Sequence, residues 1–196
     1  MDRIVHVREL SPSTLPDYLT FFDHDAFLDN PAWASCYCCF HHTDPDGTPW
    51  ENRTGAENRD AVCRLVREGA MRGYLAYEND LVIGWCHAAP RRLIPNVEKN
   101  PDLPRLPGES VGSIVCFLVA PAHRRRGVAA HLMDAALEGF RREDLTTAEA
   151  YPRRHAVGAA GNYHGPAALY LRAGFEVVRE RDAYSIVRKN LRGEPS

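Results

Sequence analysis

The chain has 196 residues, enough for one domain with a full hydrophobic core. Its 24 basic and 26 acidic side chains leave a formal net charge of -2, which argues against a general nucleic-acid binder, and no apolar run approaches the roughly 20 residues that a membrane span needs. The opening MDRIVHVREL lacks a signal-peptide core, so a cytoplasmic location is expected and the six cysteines are read as reduced thiols.

Residues 4–7 alternate apolar with polar side chains and predict a first strand. Ser11 or Ser13 is expected to cap a helix with Pro16 in its first turn, running through Tyr18, Leu19, Phe21 and Phe22. Residues 23–53 are irregular, with Trp33, the cluster Cys36-Tyr37-Cys38-Cys39-Phe40-His41-His42 and a turn at Asp44-Pro45-Asp46-Gly47. A second helix begins near Thr54 and stops at Gly69. Residues 73–78 and 81–89 form a hairpin about Asn79-Asp80. The proline-rich residues 90–112 read as a loop, a candidate lid or dimer contact.

Residues 114–120 are an unbroken apolar run, a strand buried on both faces. Pro121 stops it, Arg124, Arg125 and Arg126 lead to Gly127, and apolar residues then recur at Ala129, Leu132, Met133, Ala136, Leu137 and Phe140 with helical spacing. A strand, a basic loop and a helix N-terminus together aim unpaired backbone N–H groups and a positive dipole end at one point, which suits a phosphate. Residues 146–151 form another strand, 166–173 a short helix ended by Gly174, and 175–179 and 184–187 two closing strands. With neither repeat nor linker, residues 1–196 are expected to form a single domain.

Val119-Ala120-Pro121 followed by Arg124-x-x-Gly127-x-Ala129 resembles the acetyl-CoA-binding signature of the GNAT superfamily N-acetyltransferases, and Leu169-Tyr170-x-x-x-Gly174-Phe175 resembles the closing motif of that family. The order β-α-α-β-β-β-α-β-α-β-β is similar to that fold as well. The resemblance implies an α/β (α+β) GNAT fold: a mixed sheet of about seven strands flanked by about four helices, splayed between strands 4 and 5. It further implies acetyl-CoA as co-substrate, with the pantetheine arm paired to the backbone of Phe117, Leu118 and Val119. One N–H there would polarise the thioester carbonyl. The pyrophosphate would lie on the Arg124, Arg125, Arg126, Gly127, Val128 and Ala129 turn, with the arginines either contacting it or facing solvent.

The implied reaction is direct acetyl transfer to a small-molecule or peptide amine. Glu149 is the candidate base, acting through water, against the reading that it is an outward-facing strand residue; Glu109 is a second candidate. Tyr170 is the candidate acid for the departing thiolate, against a packing role. Two departures stand out. Where the family often carries an asparagine seven residues before the tyrosine, this chain has Tyr163, with Asn162 one place off; and residues 114–119 hold no carboxylate. Cys116 stands there instead, as a nucleophile or, more in keeping with its apolar surroundings, a buried structural thiol. Trp33, Cys36, Cys38, Trp85 and His87 are expected to line the acceptor site by analogy of architecture. The cysteine and histidine cluster lacks the spacing of a zinc knuckle, so no metal is expected. A homodimer is allowed, and a noncatalytic acyl-CoA sensor and a zinc-organised interaction protein are the alternatives.

Overall fold

The computed structural model describes residues 5–43, 48–103 and 106–192, with the backbone alone at 159–160. Ile4 of the first expected strand and the turn at 44–47 lie outside the described residues. Seven strands form one sheet: β1 (His6–Glu9), β2 (Tyr74–Glu78), β3 (Leu81–Pro90), β4 (Val111–Val119), β5 (Thr147–Ala150), β6 (Glu176–Glu180) and β7 (Ser185–Asn190). Their order is β1-β2-β3-β4-β5-β7-β6. Only β4 and β5 run parallel among the paired strands. The helices are α1 (Leu15–His24), α2 (Gly55–Arg67), α3 (Pro95–Glu98), α4 (Val128–Arg142), α5 (Gly158–Gly161) and α6 (Ala167–Arg172), of which α3 and α5 are single turns. No helix among the described residues is long and apolar enough to cross a membrane.

Local chemistry accounts for the element ends. Thr54 and Glu57 form a reciprocal capping box at the start of α2, with the Glu57 N–H on the Thr54 hydroxyl at 3.2 Å and the Thr54 N–H on the Glu57 carboxylate at 2.7 Å. Neither Ser11 nor Ser13 caps α1. Thr14 holds that position, and its hydroxyl turns backward, donating to the Glu9 carbonyl and accepting the Ser11 N–H, each at 2.9 Å. Asn79 and Asp80 both have positive φ, as a two-residue hairpin turn with the twist of its strands requires.

Helices cover both faces of the sheet. On one, α4 buries Leu132, Met133, Ala136, Leu137 and Phe140 against β2, β3 and β4, and Gly112 makes room for the Phe140 ring, which a Cβ there would meet at 2.5 Å. On the other, Tyr18, Phe21 and Phe22 of α1 pack with Leu75 and Trp85. The segment expected as a loop and lid is pinned rather than free: Ile94, Val97 and Leu103 are buried, and Arg91 ties it to the sheet.

The β4–β5 register runs from Val111↔Thr147 to Ile114↔Ala150 and then stops, while β4 continues to Val119. On its other side β4 pairs with β3, where the register shifts between His87 and Ala88 so that Val115 is the extra residue of a bulge. The parallel pair therefore opens beyond Ile114, leaving one edge of β4 facing a gap.

Candidate active site

That edge carries alternate backbone groups of β4. The Phe117 N–H points into the gap, where it donates to the Tyr163 carbonyl at 2.6 Å, and by the period of a strand the Val119 groups point the same way. Leu118 differs from expectation: paired with Trp85 of β3, its backbone turns away from the gap, and its contribution is a side chain on the cavity wall. Further contacts hold residues 163–165 against β4. The His164 imidazole bonds the Val115 carbonyl at 2.7 Å, which requires the Nδ1–H tautomer, and the Tyr170 hydroxyl donates to the His164 carbonyl. Tyr170 is fully buried, its phenol proton held firmly because burial disfavours the phenolate. Gly165, at φ +80, lies where a Cβ would press on both Phe117 and Tyr170 at 3.1 Å.

Beyond Val119 the chain turns into α4. Arg125 and Gly127 both have positive φ, 59° and 82°, which folds the turn into a concave nest of backbone N–H groups leading to the N–H groups of Val128 and Ala129 in the first helical turn. The arginines are not equivalent. Arg124 is forked onto Asp29 at 2.5 and 3.0 Å and also donates to the Val119 carbonyl. Arg126 is paired with Glu78 at 2.9 Å. Arg125 is exposed.

Beside the open edge lies a cavity of about 320 Å³, walled by residues 116–119 of β4 on one side and by the end of α1 and the 3-10 turn Pro31–Cys36 on the other. Seven aromatic residues line it: Phe22, Phe27, Trp33, Phe40, Trp50, Phe117 and Tyr163. Cys36, Cys38, Cys116 and His41 also line it, with Asp29, Asn30, Ser35 and Arg124 as the other polar residues. Burial, helped by the neighbouring Cys38, pushes the Cys36 thiol up to about 12, and burial likewise raises Cys38. Burial, with His164 and His42 nearby, lowers His41 to about 3. All three are therefore uncharged at neutral pH.

Trp85 and His87 do not reach this cavity. Trp85 is fully buried, edge-on to Tyr18 with ring centroids 5.0 Å apart. His87 is fully buried behind Cys38, its Nδ1 3.4 Å from the Cys38 sulfur and its Nε2 3.2 Å from His42 Nε2. Two facing Nε2 atoms share one hydrogen, so one ring keeps that nitrogen bare, and burial lowers both histidines, His42 to about 4. Among the described residues, no group of three or more His, Cys, Asp or Glu side chains is arranged to hold a metal ion.

Glu149 does not line this cavity either. Its register partner on β4 is Ser113, before the splay, and its fully buried carboxylate is taken by Arg188 at 2.6 Å, Arg91 at 3.3 Å and the Tyr151 hydroxyl at 2.5 Å. Each carboxylate oxygen is therefore held by a guanidinium group, Oε1 by Arg91 and Oε2 by Arg188. Glu109 pairs with the same Arg188 at 3.2 Å. Sequence reasoning missed His41 as a cavity residue, the Asp29–Arg124 pair and the occupation of the β4 edge by residues 163–165. Only His41 had a signal, its place in the cysteine and histidine cluster.

The family model described as the Acetyltransferase (GNAT) family matches residues 31–175. No curated protein sequence matches the chain. Among solved structures, an N-acetyltransferase from Staphylococcus aureus Mu50 superposes with a TM-score of 0.57 at 14% identity, over 96% of this chain and 99% of that one. The Drosophila melanogaster polyamine N-acetyltransferase gives 0.56 at 13% over 94% and 98%. The PaiA N-acetyltransferase from Thermoplasma acidophilum, solved in complex with coenzyme A, gives 0.55 at 11% over 95% and 99%. At such identities the likeness is one of fold, and the family match covers most of the chain: the protein belongs to the acetyltransferase (GNAT) family.

Proposed function

We propose that the protein is an acetyl-CoA-dependent N-acetyltransferase that passes the acetyl group directly to an amine held in the cavity. One observation carries the reading: the open edge of β4 runs from the cavity wall to the N–H nest at the start of α4 without a break. The residues fit the co-substrate. Alternate N–H and C=O groups of Phe117 and Val119 match an amide-bearing arm, and the nest of Arg125, Arg126, Gly127, Val128 and Ala129 suits a pyrophosphate. Arg124 braces the turn through Asp29 rather than meeting the phosphate.

The Tyr163 carbonyl on the Phe117 N–H stands in for an oxygen of that arm, so residues 163–165 must leave the edge before the co-substrate can enter. Bound acetyl-CoA supplies the activated acetyl group as a thioester. The Phe117 N–H, once released, polarises the acyl oxygen. Tyr170, freed from the His164 carbonyl, holds a proton for the departing sulfur, and a bare ring nitrogen of His41 accepts the proton of the amine, in place of the ion-paired Glu149.

The test is release of CoA from acetyl-CoA across a panel of amines, with acetyl-CoA affinity measured by calorimetry. Absence of both binding and CoA release removes the proposal. The fully tied states of Glu149 and Tyr170 favour a second reading, a noncatalytic acyl-CoA sensor, which predicts binding with no turnover on any amine.

A further inference from the structure

Resting on that functional reading, we propose that the acceptor is a small aromatic amine that carries no charge at neutral pH, seated in the cavity between β4 and the 3-10 turn Pro31–Cys36. About 320 Å³ holds one or two fused rings, and the walls are flat: Trp33 meets Tyr163 edge-on at 5.7 Å, with Phe22, Phe27 and Trp50 around them.

Among the described residues, the lining contains one carboxylate, Asp29, and one guanidinium, Arg124, and these neutralise each other through two hydrogen bonds. Burial keeps the Cys36 and Cys38 thiols protonated and the His41 ring neutral. Among the described lining residues no negative group is left to balance an ammonium. Aromatic faces do attract cations, but only where the loss of water is repaid. Here the wall that holds His41 uncharged down to about pH 3 disfavours any positive charge placed beside it.

An aromatic amine arrives with its lone pair free, so no base is needed before attack. As its nitrogen bonds the acetyl carbon and the carbon–sulfur bond breaks, the nitrogen becomes a strong acid, and a weak base suffices. His41 fits: it lies on the cavity wall, and neither ring nitrogen is hydrogen-bonded to another described residue. The amine loses one proton and the CoA thiolate gains one, so the transfer is balanced with no net uptake from solvent. A site for an alkylammonium would need a strong base instead, and the candidate carboxylate Glu149 is held by Arg91 and Arg188.

A matched pair tests this. 4-Methylaniline and benzylamine are isomers of one size; the first is uncharged at pH 7 and the second is an ammonium. CoA release at pH 7 should favour 4-methylaniline by roughly 100-fold in kcat/KM, and the benzylamine rate should climb about tenfold per pH unit between pH 7 and 8 while the 4-methylaniline rate stays flat. Cys36→Asp, which adds a carboxylate to the partly buried wall, should narrow the gap by about tenfold. Turnover of benzylamine or spermidine equal to or above that of 4-methylaniline overturns the substrate class and leaves the acetyltransferase reading standing. Silence on every amine, with acetyl-CoA bound, overturns both.

Discussion

His164→Ala should tighten acetyl-CoA binding rather than weaken it. In the structure the imidazole Nδ1–H donates to the Val115 carbonyl at 2.7 Å, one of the hydrogen bonds that hold residues 163–165 on the open edge of β4. A neutral hydrogen bond of this kind contributes about 1 kcal/mol net. It exists only while the segment occupies the edge, because in the displaced state Val115 faces the entering ligand or water. Removing it raises the ratio of open to closed forms about fivefold, and since apparent affinity scales with the competent fraction, the acetyl-CoA Kd should fall by about the same factor. Calorimetry measures this directly. Tyr170→Phe provides an internal control: it too removes a bond to the segment, so binding should again tighten, but turnover should drop because the phenol proton is gone. A Kd for His164→Ala that is unchanged or weaker, in a protein of unchanged Tm, would mean that the segment does not compete with the ligand, and the mechanism would need another acyl-binding edge.

Other consequences follow from the buried charges and imidazoles. Glu149→Gln leaves Arg91 and Arg188 without their shared anion, so urea unfolding should show a loss of about 3–5 kcal/mol while kcat of the folded fraction is retained; a stable but inactive variant would restore Glu149 as a catalytic base. His41, His42, His87 and His164 all have folded pKa values below the usual 6.5, so between about pH 6.5 and 4 the unfolded chain binds protons that the folded one does not. Stability is thus complete above pH 7 and falls on acidification, by about 1.4 kcal/mol per pH unit for each histidine titrating; urea midpoints that are level from pH 7 to 5 would contradict this burial. His41→Ala should lower kcat by about 100-fold with little change in acetyl-CoA affinity, and an equal loss in both would point to a packing role.

The parts of the site that could be read from the chain are those built from neighbours in sequence. Residues 114–140 form strand, turn and helix because an apolar run, a proline stop, a glycine at positive φ and a helical apolar period act within a few residues of one another. The same holds for the capping box at Thr54 and for the Asn79-Asp80 turn. What failed depended on partners far away. Glu149 carries the residue type of a base, but Arg91 and Arg188, 58 and 39 residues distant, hold its carboxylate in ion pairs. The bulge at Val115 escaped notice because nothing in the run Ser113-Ile114-Val115-Cys116 marks where one residue is extra; it is set by register with β3. Trp85 and His87 point into the core for the same reason: alternation along β3 is visible in the sequence, while the face that α1 covers is not.

Residue 163 shows how a departure in sequence becomes a difference in mechanism. The resemblance implies an asparagine there, whose side chain would reach the co-substrate. Here Asn162 instead donates its Nδ2 to the Gly158 carbonyl at 2.9 Å, stiffening the preceding turn, and Tyr163 turns its ring into the cavity against Trp33. With the ring anchored there, the Tyr163 carbonyl is left facing β4, and it takes the Phe117 N–H that an acyl group needs. One substitution thus joins the two halves of the site: the ring is a wall of the acceptor cavity, and the carbonyl blocks the donor edge. An acceptor that stacks on Tyr163 and shifts its ring should therefore also loosen the carbonyl from Phe117. The expected result is positive coupling, with 4-methylaniline lowering the acetyl-CoA Kd in the wild type and losing that effect in Tyr163→Ala. Independent binding of the two ligands in the wild type would show that the ring and the carbonyl move separately.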